Sequence, residues 1–67
     1  MNANDQEKIC KAGFVIIRSD DTSKPSIKFK NEFHPRSWKK LRKDFKSKKE
    51  RDECMKNLLE LNDYIED

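Results

Sequence analysis

The chain has few of the residues on which several common kinds of site depend. Its 67 residues include one glycine, two prolines, two cysteines, one histidine and one tryptophan. A single glycine cannot build a glycine-rich loop that cradles phosphates. Cys10 and Cys54 are too few and too far apart for a disulfide framework or a zinc site. We interpret Cys54 as a small buried hydrophobic residue, with a disulfide to Cys10 as the less favoured alternative.

Long apolar segments are also absent. The longest apolar run covers residues 14–17, which is far short of the roughly 20 residues that span a membrane. The amino terminus lacks the charged start and apolar stretch of a secretory signal. Together with the scarcity of cysteine, these features predict a cytoplasmic protein without membrane contact.

The sequence does not predict an enzyme. The single histidine, His34, precedes Pro35 in a predicted loop, and no serine or cysteine motif accompanies it. Acidic pairs occur at 20–21, 52–53 and 66–67, but so short a chain leaves little room for a cleft between opposed carboxylates. We therefore expect no catalytic residues, no metal and no cofactor.

Two short segments predict a β-hairpin. The aromatic and β-branched residues 14–17 predict a strand over 13–19. Ile27 and Phe29 alternate with lysines, which predicts a second strand over 26–31 with one apolar face and one cationic face. Residues 20–25 between them are typical of a turn. Residues 38–45 fit either a third strand or a helical stripe, and we favour the strand because it would stabilise the hairpin.

A helix is predicted over 48–61. Ser47 and Glu50 have the spacing of a capping box. Asn62 would end the helix in a left-handed conformation, and Tyr64 and Ile65 would then fold back onto the core. Apolar residues recur at helical spacing along the segment: Cys54, Met55, Leu58, Leu59 and Leu61.

These elements predict an α+β fold, in which a three-stranded antiparallel sheet (β-β-β) has one C-terminal α-helix packed on one face. Residues 1–11 are expected to be a flexible N-terminal tail, and residues 12–67 a single small domain. The sheet face toward the helix would carry Phe14, Ile16, Ile27, Phe29, Leu41 and Phe45. The opposite face would carry Val15, Ile17, Lys28, Lys30, Trp38, Lys40 and Arg42.

Charge is segregated along the chain. Residues 24–51 hold twelve basic and three acidic residues, a formal charge of +9, whereas the rest carries four basic and ten acidic residues, a formal charge of −6. A merely soluble surface tends to intersperse the two signs. The basic middle therefore favours a polyanionic partner.

Nucleic acid, either DNA or RNA, is the first candidate partner. The exposed sheet face would combine lysine and arginine for phosphates with an aromatic ring for stacking. The predicted nucleic-acid-binding residues are Lys28, Lys30, Trp38, Lys40 and Arg42. Five further lysines would extend this phosphate track toward the helix start: Lys39, Lys43, Lys46, Lys48 and Lys49.

The predicted architecture resembles the three-strand-plus-helix DNA-binding domains of plant ethylene-response factors and integrase arm-binding modules. The resemblance covers Phe14 to Leu61 and rests on the topology and on the strand–Phe–x–Ser–helix junction at Phe45-Lys46-Ser47. It implies that a sheet face enters the major groove. The glycine and arginine patterns typical of those families are absent.

A protein-interaction module is the alternative function. The protein would then be, for instance, a small accessory protein of a phage or mobile element. The exposed Val15, Ile17 and Trp38 would then form an apolar patch for a protein partner or a second copy, and an acidic surface of the partner would meet the lysines. The protein would be a monomer or a weak homodimer.

Overall fold

The computed structural model describes residues 2–22, 24–42 and 45–67. The elements in chain order are α1 (Ala3–Lys11), β1 (Val15–Asp20), β2 (Ser26–Asn31), β3 (His34–Arg42), α2 (Lys48–Leu59) and β4 (Tyr64–Glu66). The four strands form one mixed sheet in the order β3-β2-β1-β4. The strands β1, β2 and β3 are antiparallel neighbours, and β4 runs parallel to β1. The α+β class is confirmed, but the three-stranded antiparallel sheet with one helix is wrong because β4 and α1 are also present.

The hairpin strands form largely where their sequence patterns predict them. The observed β2 has the predicted bounds, and residues 38–42 lie in a strand rather than a helix. Lys43 and Asp44, at the predicted end of this strand, lie outside the described residues. Phe33 lies in a turn as expected, but β3 begins at His34, so the expected loop is wrong for His34 and Pro35. Because β3 is an edge strand, the missing N–H of Pro35 is tolerated there.

The carboxy-terminal helix begins as predicted. The hydroxyl oxygen of Ser47 accepts a hydrogen bond of 3.2 Å from the backbone N–H of Glu50. The helix ends two residues before the predicted bound, and among the described residues only Gly13 has a positive φ. The left-handed stop at Asn62 is therefore wrong. The return of the chain onto the sheet is confirmed, because Tyr64 and Ile65 lie in β4.

The main apolar core lies between α2 and the sheet. Its buried centre consists of Ile17, Ile27, Phe45 and Met55. Phe29, expected on the sheet face toward the helix, and Leu58, in the apolar stripe of the helix, both pack against this centre. The other partly buried residues around it are Val15, Leu41, Cys54, Leu59 and Tyr64.

The prediction for β1 assigned its side chains to the wrong faces. Ile17 lies opposite Phe29, and directly opposed residues of antiparallel strands project to the same face. Val15 and Ile17 therefore face α2, and Ile16 faces the other side of the sheet. Both isoleucines are fully buried, at 0% exposure. Four consecutive apolar residues carry no alternation, so a shift of one residue exchanges the faces of the whole strand.

The expected flexible tail contains the helix α1. The side chain of Asn2 caps this helix by accepting a 2.8 Å hydrogen bond from the N–H of Asp5, and Glu7 pairs with Lys11 one turn later. The inward-facing Gln6 and Cys10 are buried. With so few apolar residues, α1 shows a weak sequence pattern, and its stability depends on contacts with the sheet. It packs on the sheet face opposite α2.

Candidate nucleic-acid interface

The candidate interface is the sheet face on which α1 lies. The side chains of Ile16 and Lys30 are opposite each other on this face, beneath α1. Farther along the same strands, Arg18 and Lys40 are exposed on this face, and α2 packs on the other side of the sheet. The predicted cationic sheet face is therefore divided into a part under α1 and a part beside it.

Beside α1, three cations cross the sheet in a line. Arg18 in β1 lies opposite Lys28 in β2, and Lys28 lies opposite Lys40 in β3. We call these three residues the cationic row. Adjacent strands are about 4.8 Å apart, so the row extends over roughly 10 Å. Arg18 and Lys40 are exposed, and Lys28 is half-buried.

Asp20 partly neutralises the cationic row. The ammonium of Lys28 lies 3.1 Å from a carboxylate oxygen of Asp20. Hydrogen bonds from Thr22 and, secondarily, from Lys28 lower the pKa of Asp20 from 3.8 to about 2. Asp20 is therefore ionised at neutral pH, and the charge at the centre of the row is largely balanced. The two ends of the row form no ion pair with any carboxylate among residues 2–22, 24–42 and 45–67.

Lys30 and Trp38 belong to the part of the face near α1. Lys30 is only 5% exposed, and its ammonium donates a 2.7 Å hydrogen bond to the side-chain oxygen of Gln6. The same ammonium lies 4.8 Å from the centroid of the Trp38 ring, and the guanidinium of Arg18 lies 5.1 Å from it. The ring of Trp38 thus already contacts two cations. Lys30 is therefore not freely presented to a ligand, and the half-buried Trp38 ring is already in contact with cations of this protein.

Arg42 lies on the other side of the sheet from the cationic row. The register shifts between Ile27 and Lys28, so that Arg42 lies opposite Ile27 while Lys40 lies opposite Lys28. Ile27 belongs to the core beneath α2, and the Arg42 guanidinium lies 5.3 Å from the Phe45 ring centroid. The expected convergence of Arg42 with the other four residues is wrong, because a bulge reverses the alternation of side chains.

The extension of the track along five lysines is not continuous on this face. Lys39 lies opposite Phe29 and therefore projects to the α2 side. Lys46, Lys48 and Lys49 are exposed around the start of α2. The fifth member, Lys43, lies outside the described residues.

Acidic residues from other parts of the chain fold back onto the basic segment. Arg51 is 3% exposed and forms ion pairs with Asp21 and Asp52. Lys48 lies 3.9 Å from Asp21. Arg36 forms two hydrogen bonds of 3.0 and 3.1 Å with Glu7. The positive electrostatic field around residues 24–51 is therefore weaker in the folded protein than their formal charge of +9 indicates.

Sequence reasoning missed Arg18 as a site residue. The predicted sheet faces did not include Arg18, and the predicted alternation of β1 would place it on the helix-covered side with Phe14 and Ile16. The pairing of Asp20 with Ser26 and of Arg18 with Lys28 brings it into the cationic row instead. A basic residue in the middle of the strand, next to three apolar residues, was the available signal.

The apolar patch of the alternative function is not on the surface. Val15 packs against the α2 core, and Ile17 is fully buried. Among the described residues, the exposed large hydrophobic side chains are Phe33, at 77% exposure, and Leu61, at 53%. Phe33 lies at the tip of the β2–β3 hairpin, where the Asn31 side chain accepts hydrogen bonds from the backbone N–H groups of residues 33 and 34.

The remaining reactive residues are not gathered into one centre. Within residues 2–22, 24–42 and 45–67, no three His, Cys, Asp or Glu side chains are placed to hold a metal ion. Cys10 and Cys54 are both free thiols, and His34 is exposed in β3.

Neither α1 nor α2 is long and apolar enough to cross a membrane. Comparison of the chain with protein-family models, curated proteins and solved structures finds no match.

Proposed function

We propose that this protein is a non-enzymatic module that binds the phosphate backbone of nucleic acid through the cationic row. The observation that carries the proposal is the direct opposition of Arg18, Lys28 and Lys40 across three neighbouring strands. Directly opposed like charges destabilise a sheet. Asp20 offsets this repulsion at Lys28, and a polyanion bound over the row would neutralise the two end cations, Arg18 and Lys40.

Protection of a sheet edge does not account for the row. Lysines on edge strands prevent unwanted pairing between sheets. This explanation applies to Lys40, because β3 is an edge strand. It does not apply to Arg18 or Lys28, because β1 and β2 are the two inner strands. Ordinary solvation also does not require three cations side by side.

The chemistry of the row suits phosphate oxygens. The guanidinium of Arg18 offers a planar set of donors that matches a phosphate in two-point contact. Trp38 supports this role by lying against Arg18, with 5.1 Å between the guanidinium carbon and the ring centroid. Lys40 supplies a second charge at the edge of the sheet. In this proposal Trp38 orients Arg18, and base stacking is not its main role.

The salt dependence of binding tests the proposal. We expect the protein to bind a generic duplex or a generic single strand at low salt, with affinity that falls steeply as salt increases. Arg18→Gln and Lys40→Gln should each weaken binding and reduce the slope of log K against log salt by about one unit. Fluorescence anisotropy of labelled DNA and RNA measures both quantities and shows which nucleic acid is preferred.

Lys56→Gln is the matched control. Lys56 is exposed on α2, on the opposite side of the sheet, and its replacement removes the same charge. It should leave the salt slope nearly unchanged. Equal effects from Lys56→Gln and Lys40→Gln would show only a general response to net charge. Absence of salt-sensitive binding to either nucleic acid would refute the proposal.

The second candidate is a protein-interaction module, and the exposed Phe33 favours it. A large aromatic side chain at 77% exposure on a hairpin tip is a typical anchor for a protein surface or a second copy. Sedimentation of the wild type and of Phe33→Ser tests the homodimer. Loss of a concentration-dependent dimer in Phe33→Ser, together with no nucleic-acid binding, would favour this function.

For both candidates the free thiols of Cys10 and Cys54 support a reducing compartment, the cytoplasm.

A further inference from the structure

The helix α1 occupies sheet surface directly beside the cationic row. Gln6 binds Lys30, and Cys10 is fully buried at 0% exposure. Ile16, also at 0% exposure, lies on this covered face. Lys30 is thus a basic residue next to the cationic row, and its ammonium is hydrogen-bonded to a neutral amide on α1.

We propose that α1 is a displaceable cover of the nucleic-acid interface, and that nucleic acid bound at the cationic row displaces it from Lys30 and Arg36. This inference rests on the proposed function. It adds a mechanism of control, because the covered part of the face joins the contact only when α1 moves.

The polar contacts of α1 are those with which phosphate would compete. Glu7 places its carboxylate on the guanidinium of Arg36, at 3.0 and 3.1 Å, in the position that a phosphate would take. Gln6 accepts from Lys30 and donates a 2.8 Å hydrogen bond to the carboxylate of Asp67. A phosphate carries a full charge to Lys30, whereas the amide of Gln6 carries none. The exchange therefore favours nucleic acid at low salt.

The length of α1 and its connection to the sheet allow such movement. A nine-residue helix is marginal by itself in water, so α1 depends on its docked position. Gly13 joins it to β1 with φ of 101°, a conformation that glycine adopts readily. No heavy atom lies within 4 Å of a Cβ built at this position, so the backbone conformation, and not lack of space, requires glycine here.

The rate at which the Cys10 thiol is labelled measures the displacement of α1. This thiol is buried against the sheet, and burial raises its pKa, so a neutral alkylating reagent should label it slowly while α1 is docked. In a Cys54→Ser variant the only thiol is that of Cys10. Saturating duplex at low salt should accelerate labelling by about tenfold or more if α1 is displaced, because the rate follows the open population. A Cys10→Ser variant reports on Cys54, whose labelling rate should not change.

The second measurement is the affinity for the duplex of a variant in which α1 is held less tightly. Glu7→Gln removes the ion pair with Arg36 and should increase affinity for the duplex more than Glu53→Gln does. Glu53 is exposed on α2, so its replacement makes the same charge change away from the interface. The inference is supported if Glu7→Gln binds more tightly than this control and Cys10 is labelled faster in the complex.

The failures of the two proposals are distinguishable. Salt-dependent binding that requires Arg18 and Lys40, with Cys10 labelled no faster in the complex, would overturn the displaceable cover and leave the proposed function standing. Equal affinities of Glu7→Gln and Glu53→Gln would also overturn the cover. If neither the wild type nor Glu7→Gln binds nucleic acid, the proposed function fails, and the cover fails with it.

Discussion

Replacing Ile16 with valine tests the packing of α1 against the sheet. Ile16 and Ile17 are adjacent in β1, project to opposite faces and are both at 0% exposure. Ile17 is buried by α2 and its core, whereas Ile16 lies on the face where α1 packs. Removing one methylene group from a fully buried position costs about 0.5–1.5 kcal/mol. We expect Ile16→Val and Ile17→Val to lose free energy of unfolding within this range.

Valine is the suitable substitution because the domain is small. At about 0.05–0.15 kcal/mol per residue, the total free energy of unfolding should be roughly 3–10 kcal/mol. An isoleucine-to-alanine change costs about 2–5 kcal/mol and could unfold most of the population. For domains of this size, 1 kcal/mol corresponds to a shift of about 4–8 °C in Tm. The valine variants should therefore remain folded with a clearly lower Tm.

Thermal and urea unfolding followed by circular dichroism measures these differences. Leu61→Val is the control, because its side chain is 53% exposed and should change stability by less than about 0.5 kcal/mol. If Ile17→Val is destabilised while Ile16→Val behaves like Leu61→Val, Ile16 is not buried in solution. The reasoning that α1 covers this face would then be refuted.

The cap of α2, the core beneath it and the ion pair of Glu7 each contribute measurably to stability. Ser47→Ala should lower the free energy of unfolding by about 1 kcal/mol through loss of the helix cap, and an unchanged urea midpoint would contradict this. Leu58→Ala should cost about 2–5 kcal/mol because Leu58 packs against the α2 core, so a near-wild-type Tm would be inconsistent with that packing. Hydrogen bonds from Arg36 and, to a smaller extent, from Lys11 lower the pKa of Glu7 from 4.5 to about 2. The stabilisation that ionised Glu7 gives the fold is therefore present above pH 4.5 and is lost as the pH falls toward 2. Urea unfolding across this pH range should show a weaker pH dependence for Glu7→Gln than for the wild type, and identical curves would argue against the ion pair.

The sequence by itself determined those elements whose local pattern is unambiguous. In β2, Ile27 and Phe29 alternate with two lysines, which specifies both a strand and the side that faces the core. At α2, Ser47 is a strong local start signal because its side chain satisfies a backbone amide that would otherwise be unpaired. Phe45 and Met55 could be assigned to the core for similar reasons, since each lies in an apolar pattern next to these elements.

Tertiary structure decided the features that depend on contacts between distant residues. The apolar run over residues 14–17 shows no alternation and supplies the first three residues of β1, so the faces of this strand are set by its pairing with β2 and β4. The helix α1 has few apolar residues and is stabilised by Lys30, Arg36 and Asp67 from distant parts of the chain.

The candidate site in the structure differs from the predicted one for the same physical reason. A bulge moved Arg42 to the far face, α1 covered Lys30, and the register of β1 added Arg18 to the cationic row. Local alternation predicts which side chains share one strand face. It does not predict how neighbouring strands are aligned, because alignment depends on the packing of both sheet faces at once.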